Sequence, residues 1–151
     1  MISKLIKGAV VAVAFAAAPM AMTTPALAQD VDYAAQVAEL GGDVKKGKKV
    51  FRKCKSCHMA DKPKNRVGAH LVGIIGRPAA AVEDFSYSDA MAAKGAEGMV
   101  WDVATLQGYL ADPKGFIPDN KMAFAGLKKD ADIANVIAYL LDEGGVYEPT
   151  Q

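Results

Sequence analysis

Cysteine and histidine are scarce in this chain, with two of each among 151 residues. With so few ligands, and with His70 at no finger-like spacing from the others, a four-ligand zinc site has little to be built from. Net charge is nearly absent too, at +1, so the total says nothing about partners. No stretch of useful length alternates apolar and polar residues with period two, so a sheet is not expected. The chain has 14 glycines and 7 prolines, and much of it reads as loop.

The beginning of the chain differs from the rest. Lys4 and Lys7 precede an alanine-rich apolar run from Gly8, then Thr23-Thr24-Pro25, then Ala26-Leu27-Ala28, with small residues where a signal peptidase needs them. Residues 1–28 are therefore expected to be a cleaved signal peptide. A retained anchor is the rival reading, but the unbroken run from Gly8 to Met22 falls short of the ~20 residues that span a bilayer. The remainder is long enough for one domain and too short for two. It divides into a leader, 29–41, and a domain, 42–151. Charge in it is segregated: ten basic residues lie between Lys45 and Arg66 against Asp61 alone, whereas 130–151 is acidic with no basic residue. The mature protein should be strongly dipolar.

Both cysteines fall in one motif, Cys54-Lys55-Ser56-Cys57-His58. C-x-x-C-H is the attachment pattern of a c-type haem, in which two thiols bond to the porphyrin edge and the histidine ligates iron. Residues three apart on a helical turn share a face, so both sulfurs can reach one porphyrin. A thioredoxin-like pair would want a strand leading into the motif, and here a lysine-rich helical stretch does so. The sixth iron position has several candidates. Met59 is too close to His58 to reach the opposite face, and Met91 and Met99 lie in or just after an alanine-rich helical stretch, where methionine is an ordinary filler. Met122, in the loop Phe116 to Phe124, and His70, among glycines, remain.

Three helices follow from apolar spacing. The first starts at Asp43, an N-cap, and runs to Cys54 with Gly47 on its packing face. The second is capped by Asp102, carries Leu106, Tyr109 and Leu110, and stops before Pro113. The third carries Ile133, Val136, Ile137, Leu140 and Leu141, begins at an aspartate, and has Gly144 just past its end. A weaker helix spans Ser88 to Ala93, ended by Gly95. Residues 30–40 read equally as an extra helix or a frayed leader. The fold class is all-α, with loops wrapped around one covalent haem, and the haem-free chain is expected to be largely unfolded.

The ordered set Gly42-Asp43-Val44, Gly47, Phe51, C-x-x-C-H, Gly73-Ile74-Ile75-Gly76-Arg77, Phe85 to Ala90, Trp101, Tyr109-Leu110, Pro113-Lys114, Ile117-Pro118, Lys121 to Gly126 and Ile137 to Leu140 resembles the class I cytochromes c, in the mitochondrial-type and bacterial cytochrome c2 group. The resemblance implies a single haem c bound through Cys54 and Cys57, with His58 and Met122 as axial ligands. It places Arg77, Tyr87 and Trp101 on the propionate side and Tyr109 near the Met122 sulfur. It also implies a crossing of first and last helices at Gly47, Phe51 and Tyr139, and a docking rim of Lys53, Lys114, Lys121, Lys128 and Lys129. Two positions depart from the family pattern: Ala69 replaces a proline, and Met91 replaces an asparagine inside the crevice.

The function implied is one-electron transport in the periplasm by a monomer that meets redox proteins and not nucleic acid. Partners of the expected kind are a cytochrome bc complex and a terminal oxidase or photosynthetic reaction centre. No enzyme activity is expected, because protein ligands on both sides of iron leave no open coordination site. A ligand-binding haem, as in a gas sensor or peroxidase, is the competing class. The c′ bundle type is disfavoured, since it carries C-x-x-C-H near the C-terminus.

Overall fold

The computed structural model describes residues 31–149; the expected signal segment and the first residues of the leader lie outside them. Six helices occur among the described residues: α1, Tyr33–Glu39; α2, Val44–Phe51; α3, Asp89–Ala96; α4, Val103–Ala111; α5, Pro113–Phe116; and α6, Asp130–Gly144. There is no strand among them, only isolated bridges joining Ile75 to Val146 and Pro78 to Val100. The protein is all-α, with long loops.

The sequence writes most helix starts explicitly. Asp32, Asp43, Ser88, Asp102 and Asp112 each accept a hydrogen bond from the backbone N–H three residues on. That satisfies one donor the helix leaves unpaired, worth about 1 kcal/mol per cap. Helix α6 has no side-chain cap, but Asp130 and Asp132 in its first turn oppose the positive end of its dipole. Its end lies one residue beyond the expected stop: Gly144 is still helical, and Gly145, at φ 69°, is the residue that leaves the helix, with its N–H on Leu141 O. Likewise α3 passes through Gly95 to Ala96, and the left-handed residue is Gly98, at φ 83°. In both cases the helix runs on until a glycine is needed for a positive φ.

The first expected helix is α-helical only to Phe51; tighter turns then carry the chain on, with Lys53 N–H on Val50 O and Cys54 N–H on Phe51 O. Proline113 both stops α4 and opens α5, where its missing N–H costs nothing. The stretch read as leader or helix forms α1, which packs on α6 and α4. Its Tyr33 ring covers Gly76, where a Cβ would stand 2.7 Å from the ring.

Helices α2 and α6 cross at glycine. A Cβ on Gly47 would overlap the Asn135 carbonyl and come 2.7 Å from Tyr139 Cβ, so only glycine lets the backbones approach this closely. The Phe51 and Tyr139 rings meet there at 5.1 Å, and Asp43 N–H donates to Asn135 Oδ1 at 2.7 Å. Ile133, Val136, Ile137 and Leu140 on α6 are buried together with Ile75 and Ile117. Leu141, at the rim of the stripe, is only partly buried.

Candidate functional site

The motif cysteines sit on a tight turn, in which Cys57 N–H and His58 N–H both donate to Cys54 O at 3.0 Å. Both thiols are half-buried and unbridged. Burial pushes the Cys54 thiol up to about 11, against the lowering influence of Lys53. His58 follows directly, and its Nδ1–H donates to Ala69 O at 2.7 Å. That bond fixes the tautomer and leaves Nε2 as a free lone pair, the arrangement an imidazole needs to bind a metal. Burial, the largest influence, holds His58 below its ordinary value, so the ring is neutral and available. Replacement of the expected proline by Ala69 therefore leaves this acceptor in place. Gly68 was not singled out from the sequence, yet a Cβ there would overlap His58 Cε1 and lie 2.7 Å from Nδ1. The ring is seated against bare backbone.

Met122 lies in the loop after α5 and is partly buried against the core. Its sulfur is 4.0 Å from the Tyr109 hydroxyl, which donates to it. Tyr109, on α4, is wedged between Trp101 at 4.9 Å and Phe116 at 6.2 Å, and burial pushes its phenol up to about 12. Asn120 is the second residue the sequence did not advertise. It is buried, donates from Nδ2 to Pro113 O and Ile117 O at 2.7 Å, and accepts Met122 N–H on Oδ1 at 2.9 Å. Its only sequence signal is an amide in a loop that already contains proline and aspartate.

Arg77 is a buried cation, 5 % exposed. Its guanidinium donates to His70 O at 2.9 Å and Val72 O at 3.1 Å, and no carboxylate pairs with it: the ion pair found among the described residues is Lys94 with Glu97. A buried charge satisfied by neutral carbonyls alone is costly, which is what a site built around an anion looks like. Trp101 N–H donates to Arg77 O at 2.9 Å, so these two are held together by backbone. The Tyr87 hydroxyl accepts Val82 N–H at 3.4 Å and is close enough to influence Arg77. His70 holds Arg77 through its carbonyl, and its Nδ1 is buried without a hydrogen-bond partner among the described residues. Met91 is buried apolar filling, 9 % exposed.

Lys53, Lys114, Lys121, Lys128 and Lys129, the lysines expected at a docking rim, are all exposed. Three of them rest on backbone carbonyls: Lys114 on Asn120 O, Lys121 on Tyr87 O at 3.2 Å and Lys128 on Ala111 O at 3.4 Å. Lys53 and Lys129 have no such bond among the described residues.

The chain thus offers two thiols on one turn, a neutral imidazole beside them, and a buried arginine bonded to carbonyls and to no carboxylate among the described residues. These residues fit a covalently attached porphyrin, and together with the all-α fold they define a c-type haem protein. Residues 44–143 match the family model described as cytochrome c. The chain is 48% identical over 101 residues to a cytochrome c2 of Agrobacterium tumefaciens, covering 66% of this chain and 91% of that protein. It is 53% identical over 90 residues to cytochrome c2 iso-2 of Magnetospirillum fulvum, covering 60% and 91%. Among solved structures, cytochrome cH from Methylobacterium extorquens superposes with TM-score 0.61 at 38% identity, over 67% of this chain and 99% of that one. The chain belongs to the cytochrome c family, in the class I, c2 group; it is an electron carrier and not an enzyme, and its cofactor is one covalent haem c. As an electron carrier it works with redox-protein partners.

Proposed function

We propose that this cytochrome is exported through cleavage after Ala28 and works in the periplasm as a monomer. There it carries single electrons with His58 and Met122 as the two iron ligands. The observation that carries the reading is the pairing of two prepared donors: His58 with Nδ1 committed to Ala69 O and Met122 with its sulfur beside the Tyr109 hydroxyl.

The haem supplies the one-electron couple. The rest is done by the chain. Cys54 and Cys57 would make attachment permanent, Ala69 orients His58, and the Tyr109 hydroxyl donates to the Met122 sulfur. Arg77 would neutralise carboxylate charge at the haem propionates, with Tyr87 and Trp101 beside it. With His58 and Met122 as the residues that would hold the iron, no position would remain for a substrate, and the chemistry the haem would supply is one-electron exchange.

Lys53, Lys114, Lys121, Lys128 and Lys129 form the docking rim for acidic partner surfaces, for which a cytochrome bc complex on one side and a terminal oxidase or photosynthetic reaction centre on the other are the fitting kinds. Opposite charge speeds encounter and releases with salt. No helix among the described residues is long and apolar enough to cross a membrane. The test is the optical spectrum of the holoprotein, oxidised and reduced. A weak far-red band of methionine sulfur on ferric iron, with no carbon monoxide binding to the ferrous form, is expected. Loss of the band with ready carbon monoxide binding would instead make the protein a gas-binding haem.

A further inference from the structure

We infer that Asn120 is the positioning residue that keeps the Met122 loop closed, and so keeps small external ligands off the iron; the inference rests on the reading of Met122 as an axial ligand. The loop has little else to hold it. Asn120 N–H reaches Ile117 O at 3.3 Å, and the next main-chain bond is that of Leu127 N–H to Leu110 O. Between them, Met122 is held by one backbone hydrogen bond among the described residues, and its acceptor is the Asn120 side chain.

That residue is itself fixed on three counts. It is 3 % exposed, and both Nδ2 hydrogens of its side chain are used, on Pro113 O and Ile117 O. Its main-chain carbonyl accepts from the Lys114 ammonium. The preceding Asp119 takes a left-handed φ of 63°, which reverses the chain so that the Asn120 amide points back at α5 while Met122 points inward. A buried amide with donors and acceptor all satisfied is geometrically committed in a way a methionine thioether is not. Tyr109 meets the sulfur from α4, and Asn120 meets the backbone from α5. The two act on different ends of one residue.

An external ligand can bind iron only in the fraction of molecules whose methionine has left, so its apparent affinity scales with that open fraction. Removing the Asn120 bonds should raise the fraction roughly tenfold, the factor carried by one net hydrogen bond at the upper end of its usual range. The experiment titrates ferric holoprotein with imidazole while following the far-red band, in wild type, Asn120→Ala, Asn120→Ser and Asn135→Ala. The last removes the hydrogen bond between Asp43 and α6, which lies at the crossing of α2 and α6 and makes no bond to the loop, and so reports general destabilisation.

The expected result is imidazole binding about tenfold tighter in Asn120→Ala, a smaller gain in Asn120→Ser, whose hydroxyl still accepts Met122 N–H, and none in Asn135→Ala at a similar loss of melting temperature. If Asn120→Ala does not accumulate as holoprotein, Asn120→Ser carries the same test. Wild-type affinity in the Asn120 variants, or an equal gain in Asn135→Ala, overturns the inference while leaving Met122 ligation standing. Absence of the far-red band in wild type overturns the ligation itself, before any variant is compared.

Discussion

Gly68→Ala is the substitution whose sign most sharply separates local from tertiary reasoning. Gly68 is not among the positive-φ glycines, so alanine meets no backbone strain, and by unfolded-chain entropy alone it should stabilise by about 0.4–1 kcal/mol. The structure says the opposite. A Cβ would stand 2.7 Å from His58 Nδ1 and 2.8 Å from Nε2, and overlap Cε1. Ordinary non-bonded contact needs about 3.5–4.0 Å, so the ring must shift by about 1 Å. The shift costs about 1–3 kcal/mol of overpacking and weakens the Nδ1 bond to Ala69, about 0.5–1.5 kcal/mol. The net expectation is a loss of about 1–4 kcal/mol, read as a fall in melting temperature of roughly 5–20 °C for a domain of this size. Thermal melting of the ferric holoprotein measures it, with the haem spectrum reporting the histidine. A variant that melts at or above wild type with an unchanged spectrum would refute the claim that bare backbone seats His58.

Lys121→Glu should slow electron transfer to an acidic partner at low salt by an amount that shrinks as salt rises; because Lys121 also rests on Tyr87 O, Lys129→Glu should show the same trend, and rates independent of both would remove the docking rim. The haem-free chain should lack cooperative melting, since on the proposed reading Arg77 and its neighbours pack around the haem; circular dichroism showing a sharp transition would contradict this. Tyr109, raised to about 12 by burial, favours the protonated phenol in the fold. Its contribution is fully present below the ordinary value of 10 and is lost as pH climbs toward 12, a change of at most about 3 kcal/mol. Denaturant midpoints should therefore fall less steeply above about pH 10 in Tyr109→Phe than in wild type, and parallel curves would sink the assignment.

Chemistry that depends on adjacent residues was legible from the chain alone. Cys54, Cys57 and His58 declare haem attachment because their spacing matches a helical turn and needs no distant partner. Asp43, Asp102 and the α6 stripe were equally plain, since caps and period 3.6 are local properties. The short α5 escaped because Pro113 reads as a stop when it is also an opening residue, and Gly144 and Gly95 misled because a glycine inside a helix looks like the end of one.

What only the tertiary structure decided are relations across the fold: that Ala69 supplies the His58 acceptor, that Gly68 and Gly47 are glycine because His58 and Asn135 occupy the space a side chain would fill, and, among the described residues, that Arg77 is buried with carbonyls and no acid and that the Asn120 side chain is what holds the Met122 backbone. These depend on backbone closeness and on burial of charge. A sequence carries no measure of either until the chain is closed around its core.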